Sequence, residues 1–285
     1  MEAKDKAFSH KKTLLLKGNL IDLSYPKVMG IVNATPDSFY DGGRNVDVEK
    51  TVVRIEKMLE DGADIIDIGG YSTKPNAVEV SFKEERERVI PLIKKLIQKF
   101  PEIVISIDTF RSGIAKEAIQ AGATIINDVS GGNLDDKMFE TVSQLKVPYI
   151  LMHMRGTPAT MQNLTEYNHL IKDVVFELSQ KIEKLRSLQV NDIIIDPGFG
   201  FAKSLEQNYE LLNDLSYFEE LDCPLLIGIS RKSMIYKLLD AKAVDALNGT
   251  TALNMVALMN GANILRVHDV KEAVETVKLF NQLKN

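Results

Sequence analysis

Eight times along this chain, a short run rich in valine and isoleucine gives way to a polar loop and then to an amphipathic stretch. The runs are Val28–Val32, Ala63–Ile68, Ile103–Ile107, Thr124–Val129, Val147–Met152, Asp192–Ile195, Pro224–Ile229 and Ala262–Val267. Apolar periodicity between them predicts helices over Asp47–Asp61, Ser81–Lys99, Arg111–Ala121, Asp135–Leu145, Glu166–Gln189, Leu205–Glu219 and a broken Ser233–Asn260. A last helix, Val270–Leu283, follows the eighth run. Strands that are apolar throughout are buried on both faces, which calls for a parallel sheet covered by helices. Eight such units in 285 residues predict an α/β fold, a single closed (β/α)8 TIM barrel. An open doubly wound sheet is the competing arrangement, but no Gly-x-Gly-x-x-Gly follows the first run. Gly62, Gly122 and Gly261 stand just before runs, where helices favour a C-terminal glycine. Two apolar patches around Lys17-Gly18-Asn19 predict an N-terminal β-hairpin ahead of the barrel. Residues 1–12 read as a charged tail and 13–285 as one domain, because no linker or shift of composition divides them.

Composition removes several classes of function. The net charge is −5 and the pI near 5.5, whereas a nucleic-acid binder usually carries a basic stripe. The one cysteine, Cys223, has no intramolecular partner, which fits a reducing compartment and a cytoplasmic location. Beside Pro224 at the start of an apolar run, it is expected to be buried. The tail lacks the apolar core of a signal peptide, and no run of about 18 apolar residues exists to span a membrane.

In a barrel of this kind the C-terminal strand ends form the active face. Here they carry Asn33, Gly69-Gly70, Asp108, Asn127 with Asp128, His153, Asp196, Ser230-Arg231-Lys232, and Arg266 with His268. Asp108, Asn127, Asp196 and Lys232 are suited to the polar edge of a nitrogen heterocycle, whose N–H groups want carboxylates and whose carbonyl wants a cation. An internal salt-bridge network is the bland alternative. Arg266 and His268 share one face at period two, and with Asn33 they are suited to phosphate or pyrophosphate. The first loop, Asn33–Gly43, is long, polar and rich in turn residues, as functional loops often are. Its aspartates and Asn33 offer oxygen to Mg²⁺ in the style of a metal carried on phosphates. His10 and His169 are expected to be inert, and His153 to be packed beneath its strand end. No zinc spacing, Gly-x-Ser-x-Gly or Walker loop occurs.

The motifs that carry a resemblance are Met29–Phe39, Asp67–Pro75, Ser106–Thr109, Ile126–Asp128, Met152–Pro158, Asp196–Phe201, Ser230–Ser233 and Arg266–Asp269. Together, in this order and along almost the whole chain, they resemble the dihydropteroate synthases. These enzymes join 6-hydroxymethyl-7,8-dihydropterin pyrophosphate to p-aminobenzoate. The resemblance implies a pterin site of Asp108, Asn127, Met152, Asp196, Gly200 and Lys232. It implies pyrophosphate binding by Asn33, Thr73, Arg266 and His268, with Mg²⁺ at Asn33. It places p-aminobenzoate against Phe39, Lys74, Pro75, Phe201, Lys232 and Ser233, and gives catalytic weight to Asp108, Lys232, Asp41 and Phe39. It also implies a homodimer and a pyrophosphate-first substitution, and the two loops lead us to expect binding of the pterin before p-aminobenzoate.

Three positions in the second loop depart from the family pattern. Tyr71 and Lys74 stand where Glu and Arg are usual, and Asn76 where Gly is common. Lysine lacks arginine's planar, bidentate contact, so looser geometry at Lys74 is expected. Two other readings compete. A methyltransferase domain that binds a reduced folate shares the pterin-reading face but needs no pyrophosphate grip. A catalytically silent pterin-binding protein would keep the ring site without turnover.

Overall fold

The structure, a computed structural model, describes residues 12–34, 48–71 and 79–284. Strands β1 (Thr13–Leu16) and β2 (Asn19–Asp22) pair antiparallel as the expected hairpin. Lys17 and Gly18 both take positive φ at its tip, +49° and +80°, the backbone of a tight primed turn whose twist suits the flanking strands.

The barrel follows in the chain order β3 (Lys27–Asn33), α1 (Val48–Glu60), β4 (Ile65–Gly69), α2 (Phe82–Lys99), β5 (Ile105–Asp108), α3 (Ser112–Ala121) and β6 (Ile125–Asp128). It continues through α4 (Met138–Leu145), β7 (Tyr149–Met152), α5 (Leu170–Ser187), β8 (Ile193–Asp196), α6 (Leu205–Asn213) and β9 (Leu226–Ile227). It ends with α7 (Ser233–Leu238), α8 (Leu247–Met259), β10 (Ile264–Val267) and α9 (Val270–Lys284). The eight strands are parallel in the order β8-β7-β6-β5-β4-β3-β10-β9, and a bridge from Ile195 to Leu225 closes the ring. Gly62, Gly122 and Gly261 end their helices at φ of +100°, +117° and +100°.

The inward side chains form two unlike layers. Met29, Ile65, Ile125, Ile150, Ile194, Leu226 and Ile264 make an apolar floor, and Leu14, Leu16 and Leu23 of the hairpin segment pack under it. The hairpin thus plugs the N-terminal end of the barrel. Lys17 ties it down by donating to the carbonyls of Pro101 and Ile103 at 3.2 and 3.1 Å. Two residues further along, β4, β6, β8 and β10 turn polar at Asp67, Asn127, Asp196 and Arg266, and that second layer carries the site.

Three expected boundaries move, and the expected break in Ser233–Asn260 is present. The long Glu166–Gln189 helix begins at Leu170: Arg155 holds the Glu166 carbonyl at 2.6 Å, and the Asp173 carboxylate accepts the backbone N–H of Asn168. His169 therefore precedes the helix and is not on its surface. Ser233–Asn260 breaks into α7, a single 3₁₀ turn at Ala243–Asp245, and α8, because Arg231 grips the carbonyls of Ala243 and Val244. Leu205–Glu219 ends at Asn213 and gives way to a 3₁₀ segment, Leu215–Leu221. The seventh barrel strand contracts from Pro224–Ile229 to the two residues of β9.

Candidate active site

Asp67 lies at the centre of the upper layer. Its Oδ2 accepts from Arg266 Nε at 2.7 Å and from Asn127 Nδ2 at 3.1 Å. Arg266 also donates through Nη2 to Asp108 Oδ2 at 2.6 Å. Strands β4, β5, β6 and β10 each place one side chain in this cluster, and the carboxylates of β4 and β5 meet on the Arg266 guanidinium. Two carboxylates hold Arg266 charged at any accessible pH, well above its usual range despite burial. Burial raises the pKa of Asp108 to about 7, against the opposing pull of Arg266. Asp67 Oδ1 and Ser106 Oγ are buried without a hydrogen-bond partner. Nη1 of Arg266 makes no hydrogen bond within the cluster.

Across the barrel mouth, Asp196 ends β8 and accepts the N–H of Gly198 at 2.8 Å. Burial raises its carboxyl, and the ammonium of Lys232 opposes that. Lys232 donates to the carbonyl of Phe199 and stands 4.9 Å from the centroid of the Phe201 ring. Burial lowers its pKa to about 8. Gly228 keeps the gap between these groups and Arg266 clear: a Cβ there would stand 3.8 Å from Arg266 and 4.0 Å from Asp196. Met152 walls one side, in an apolar patch with Val129, Met154, Met161 and Ala202 against which Phe201 packs. Gly200 (φ +78°) has open space except for Lys232, and Ser233 opens α7 directly after that lysine.

The anion end lies beside β10. His268 follows Arg266 by two residues, and Ser230 fixes its ring. The Ser230 hydroxyl accepts the His268 backbone N–H at 3.1 Å and pairs with Nδ1 at 3.1 Å. That pairing leaves Nε2 as the ring nitrogen for a ligand. Burial and Arg266 lower the pKa of His268 to about 4, so it offers an N–H and not a charge. Asn33 ends β3, paired in register with Gly69.

All of Asn33, Asp108, Asn127, Met152, Asp196, Gly200, Phe201, Lys232, Ser233, Arg266 and His268 thus stand at one end of the barrel. Phe39, Asp41, Thr73, Lys74, Pro75 and Asn76 lie outside the described residues. Tyr71 is described, and it packs edge-on to Phe110 at 5.1 Å with the Arg111 guanidinium 5.5 Å from its ring. Sequence reasoning gave no role to Asp67, Ser230, Lys203 or Glu177. Asp67 carried a usable signal, being an acidic residue inside an otherwise apolar strand, where an unpaired charge is too costly to keep. Cys223 is half-buried, not buried as expected.

Among the described residues no group of three or more His, Cys, Asp or Glu is disposed to hold a metal ion. Asn33 is the described residue that the resemblance gives to Mg²⁺, and the loop aspartates Asp37 and Asp41 lie outside the described residues.

The comparisons with known proteins agree with this geometry. Residues 29–268 match the model of the pterin binding enzyme family. Dihydropteroate synthase of Escherichia coli (strain K12) is 42% identical over 268 residues, spanning 93% of this chain and 94% of its own length. The chain belongs to the dihydropteroate synthase family. Dihydropteroate synthase of Yersinia pestis, solved in complex with a sulfonamide drug, superposes with a TM-score of 0.89 at 40% identity, covering 95% of this chain and 98% of that one. The enzyme of Xanthomonas albilineans, solved with 4-aminobenzoic acid, also gives 0.89, at 36% identity over 97% and 99% of the two chains. This chain is accordingly a transferase with the family's TIM-barrel fold, one that condenses a dihydropterin pyrophosphate with p-aminobenzoate.

Proposed function

We propose that the condensation runs pyrophosphate-first, with the ring and anion ends of the site linked through the Arg266–Asp108 hydrogen bond. That contact is the observation that carries the reading: one guanidinium touches the carboxylate of the ring end and borders His268 of the anion end. The pterin ring sits among Asp108, Asn127, Asp196 and Lys232, its N–H groups on the carboxylates and its carbonyl on the ammonium. Pyrophosphate lies against Arg266 Nη1, His268 Nε2–H and Asn33. Mg²⁺, when bound, would share Asn33 with the pyrophosphate and neutralise charge on the departing oxygens.

The C–O bond to pyrophosphate breaks first, as Arg266 and His268 donate to the oxygen that takes up the electron pair. Asp108, as the carboxylate paired with the Arg266 guanidinium in a cavity of low dielectric, stabilises the pterin methylene cation. The p-aminobenzoate nitrogen then forms the new C–N bond against Phe201 and Ser233, and its proton passes to solvent. Phe39, Asp41, Thr73, Lys74 and Pro75 take the loop roles that the family resemblance implies.

Purified protein with both substrates and Mg²⁺ should yield dihydropteroate by chromatography, and Lys232→Ala or omission of Mg²⁺ should abolish it. Without p-aminobenzoate, slow release of pyrophosphate and hydroxymethyl-dihydropterin is expected, because water captures the cation. Strict dependence of pyrophosphate release on p-aminobenzoate overturns the order of steps.

A homodimer through α7 and α8 is part of this reading. Helix α8 presents Ala252, Val256 and Met259 to solvent, and Leu238, Leu239 and Val244 are exposed on the segments before it. A face of this kind is ordinarily covered. Sedimentation should give twice the chain mass, and a monomer at micromolar concentration refutes it. Cytoplasmic location is supported by the lone cysteine, and no described helix is long and apolar enough to cross a membrane. Recovery of the protein in a secreted fraction overturns that assignment.

A further inference from the structure

Lys203 stands immediately before Ser204, the N-cap of α6, and none of the steps above uses it. Its side chain is buried, only 4% exposed, burial lowers its pKa to about 7, and as an ammonium it has three hydrogens for three acceptors. These are His153 Nδ1, the Gly198 carbonyl and the Phe201 carbonyl, each at 3.1 Å. Donation to Nδ1 fixes the His153 tautomer: its proton lies on Nε2 and goes to Glu177 Oε2 at 3.0 Å. Burial and Lys203 lower the pKa of His153 to about 4, so the ring is neutral. Glu177 is gripped in turn by Arg155, which stacks 3.9 Å over the Tyr167 ring. The Tyr167 hydroxyl returns to the same loop by donating to the Ala202 carbonyl at 3.0 Å.

The loop between β8 and α6 needs an external hold. Gly198, Gly200 and Ala202 all take left-handed backbone, at φ of +74°, +78° and +50°. Alternate left-handed residues preclude a helical or strand ladder, and at Ala202 the conformation costs about 1–2 kcal/mol. This loop nonetheless presents the Phe201 ring to the site, next to Lys232.

We propose that Lys203 is a positioning residue for the p-aminobenzoate subsite, its grip on the Gly198 and Phe201 carbonyls setting where the Phe201 ring lies. The inference rests on the functional reading above. Lys232 is the larger coulombic partner of Asp196, ahead of Arg266 and Lys203, so loss of Lys203 bears less on the pterin side than on the Phe201 carbonyl it holds.

Lys203→Met keeps the length of the side chain and removes all three N–H groups. The KM for p-aminobenzoate should rise about tenfold while the Kd for dihydropterin pyrophosphate stays within about twofold. Glu177→Gln, on a partly exposed helix face, loosens the same chain of contacts without touching the pocket and should raise that KM about threefold. It carries the test by itself if Lys203→Met does not fold. An unchanged p-aminobenzoate KM in the folded variants overturns the inference, as does an equal loss of affinity for both substrates. Hydrogen exchange over residues 198–203, measured without substrate, separates this from the functional reading. Faster exchange in the variants supports the proposal, and unchanged protection overturns it whether or not the wild-type chain makes dihydropteroate.

Discussion

Asp67→Asn tests the centre of the site directly. The native carboxylate is fully buried and accepts two hydrogen bonds at Oδ2, one from a guanidinium and one from an amide. Hydrogen bonds to charged groups contribute about 1.5–3 kcal/mol each, so the gross loss is about 4 kcal/mol. Two features of the structure reduce it. Oδ1 has no partner, so removing the charge relieves a desolvation penalty of about 1–3 kcal/mol. Arg266 also keeps Asp108, so the guanidinium is not left as an unpaired buried charge, a loss of about 3–5 kcal/mol. The expected net destabilisation is therefore about 2 kcal/mol, or roughly 5 °C in melting midpoint for a domain of this size. Urea unfolding at pH 7 measures it. In the variant Arg266 leans wholly on Asp108, the carboxylate the pterin ring needs, so pterin affinity should fall about tenfold by calorimetry. An unchanged unfolding midpoint together with unchanged pterin affinity refutes the assignment of Asp67 as the hub.

Other expectations follow from single groups. Lys232 binds as an ammonium, and its folded pKa is lowered to about 8, so pterin affinity should fall as pH rises through 8, by about tenfold from pH 7 to pH 9. The same shift works oppositely on stability: between pH 8 and the unfolded lysine value the unfolded chain binds more protons, so this group's contribution to stability rises with pH. Affinity that is flat across this range in calorimetric titrations refutes the assignment of the ammonium. Gly198→Ala should fail to fold or lose more than about 3 kcal/mol, because φ is +74° and a Cβ would stand 2.0 Å from the His153 carbonyl; a soluble variant with wild-type melting counts against it. Leu14→Ala removes part of the hairpin plug and should cost about 3 kcal/mol in urea while leaving turnover per folded molecule unchanged. Reduced turnover at full folding would show that the floor of the barrel reaches the site.

The sequence made strands legible and pairings illegible, for different physical reasons. Strands such as Ile65–Gly69 and Ile193–Asp196 are buried on both faces, so their composition alone marks them as parallel and covered. A barrel then fixes which end of each strand carries chemistry, and that placed Asp108, Asn127, Asp196, Lys232 and Arg266 together before any coordinates. Which of these would bond to which depends on side chains separated by 158 residues, as in Arg266 and Asp108, and no local pattern encodes that. Reading the residue types separately put Asp108 with the heterocycle and Arg266 with the anion, yet the two share a hydrogen bond in the free protein. The same limit hid Lys203. A lysine after Gly-Phe-Gly-Phe-Ala looks like an ordinary loop residue whose charge reaches water. It is buried because β7 turns the His153 ring toward it and the loop turns two carbonyls back on it. A buried ammonium is retained only where acceptors are already in place. Its three acceptors therefore say more about its role than its position in the motif does, and they come from a strand and a loop that meet only once the barrel has closed.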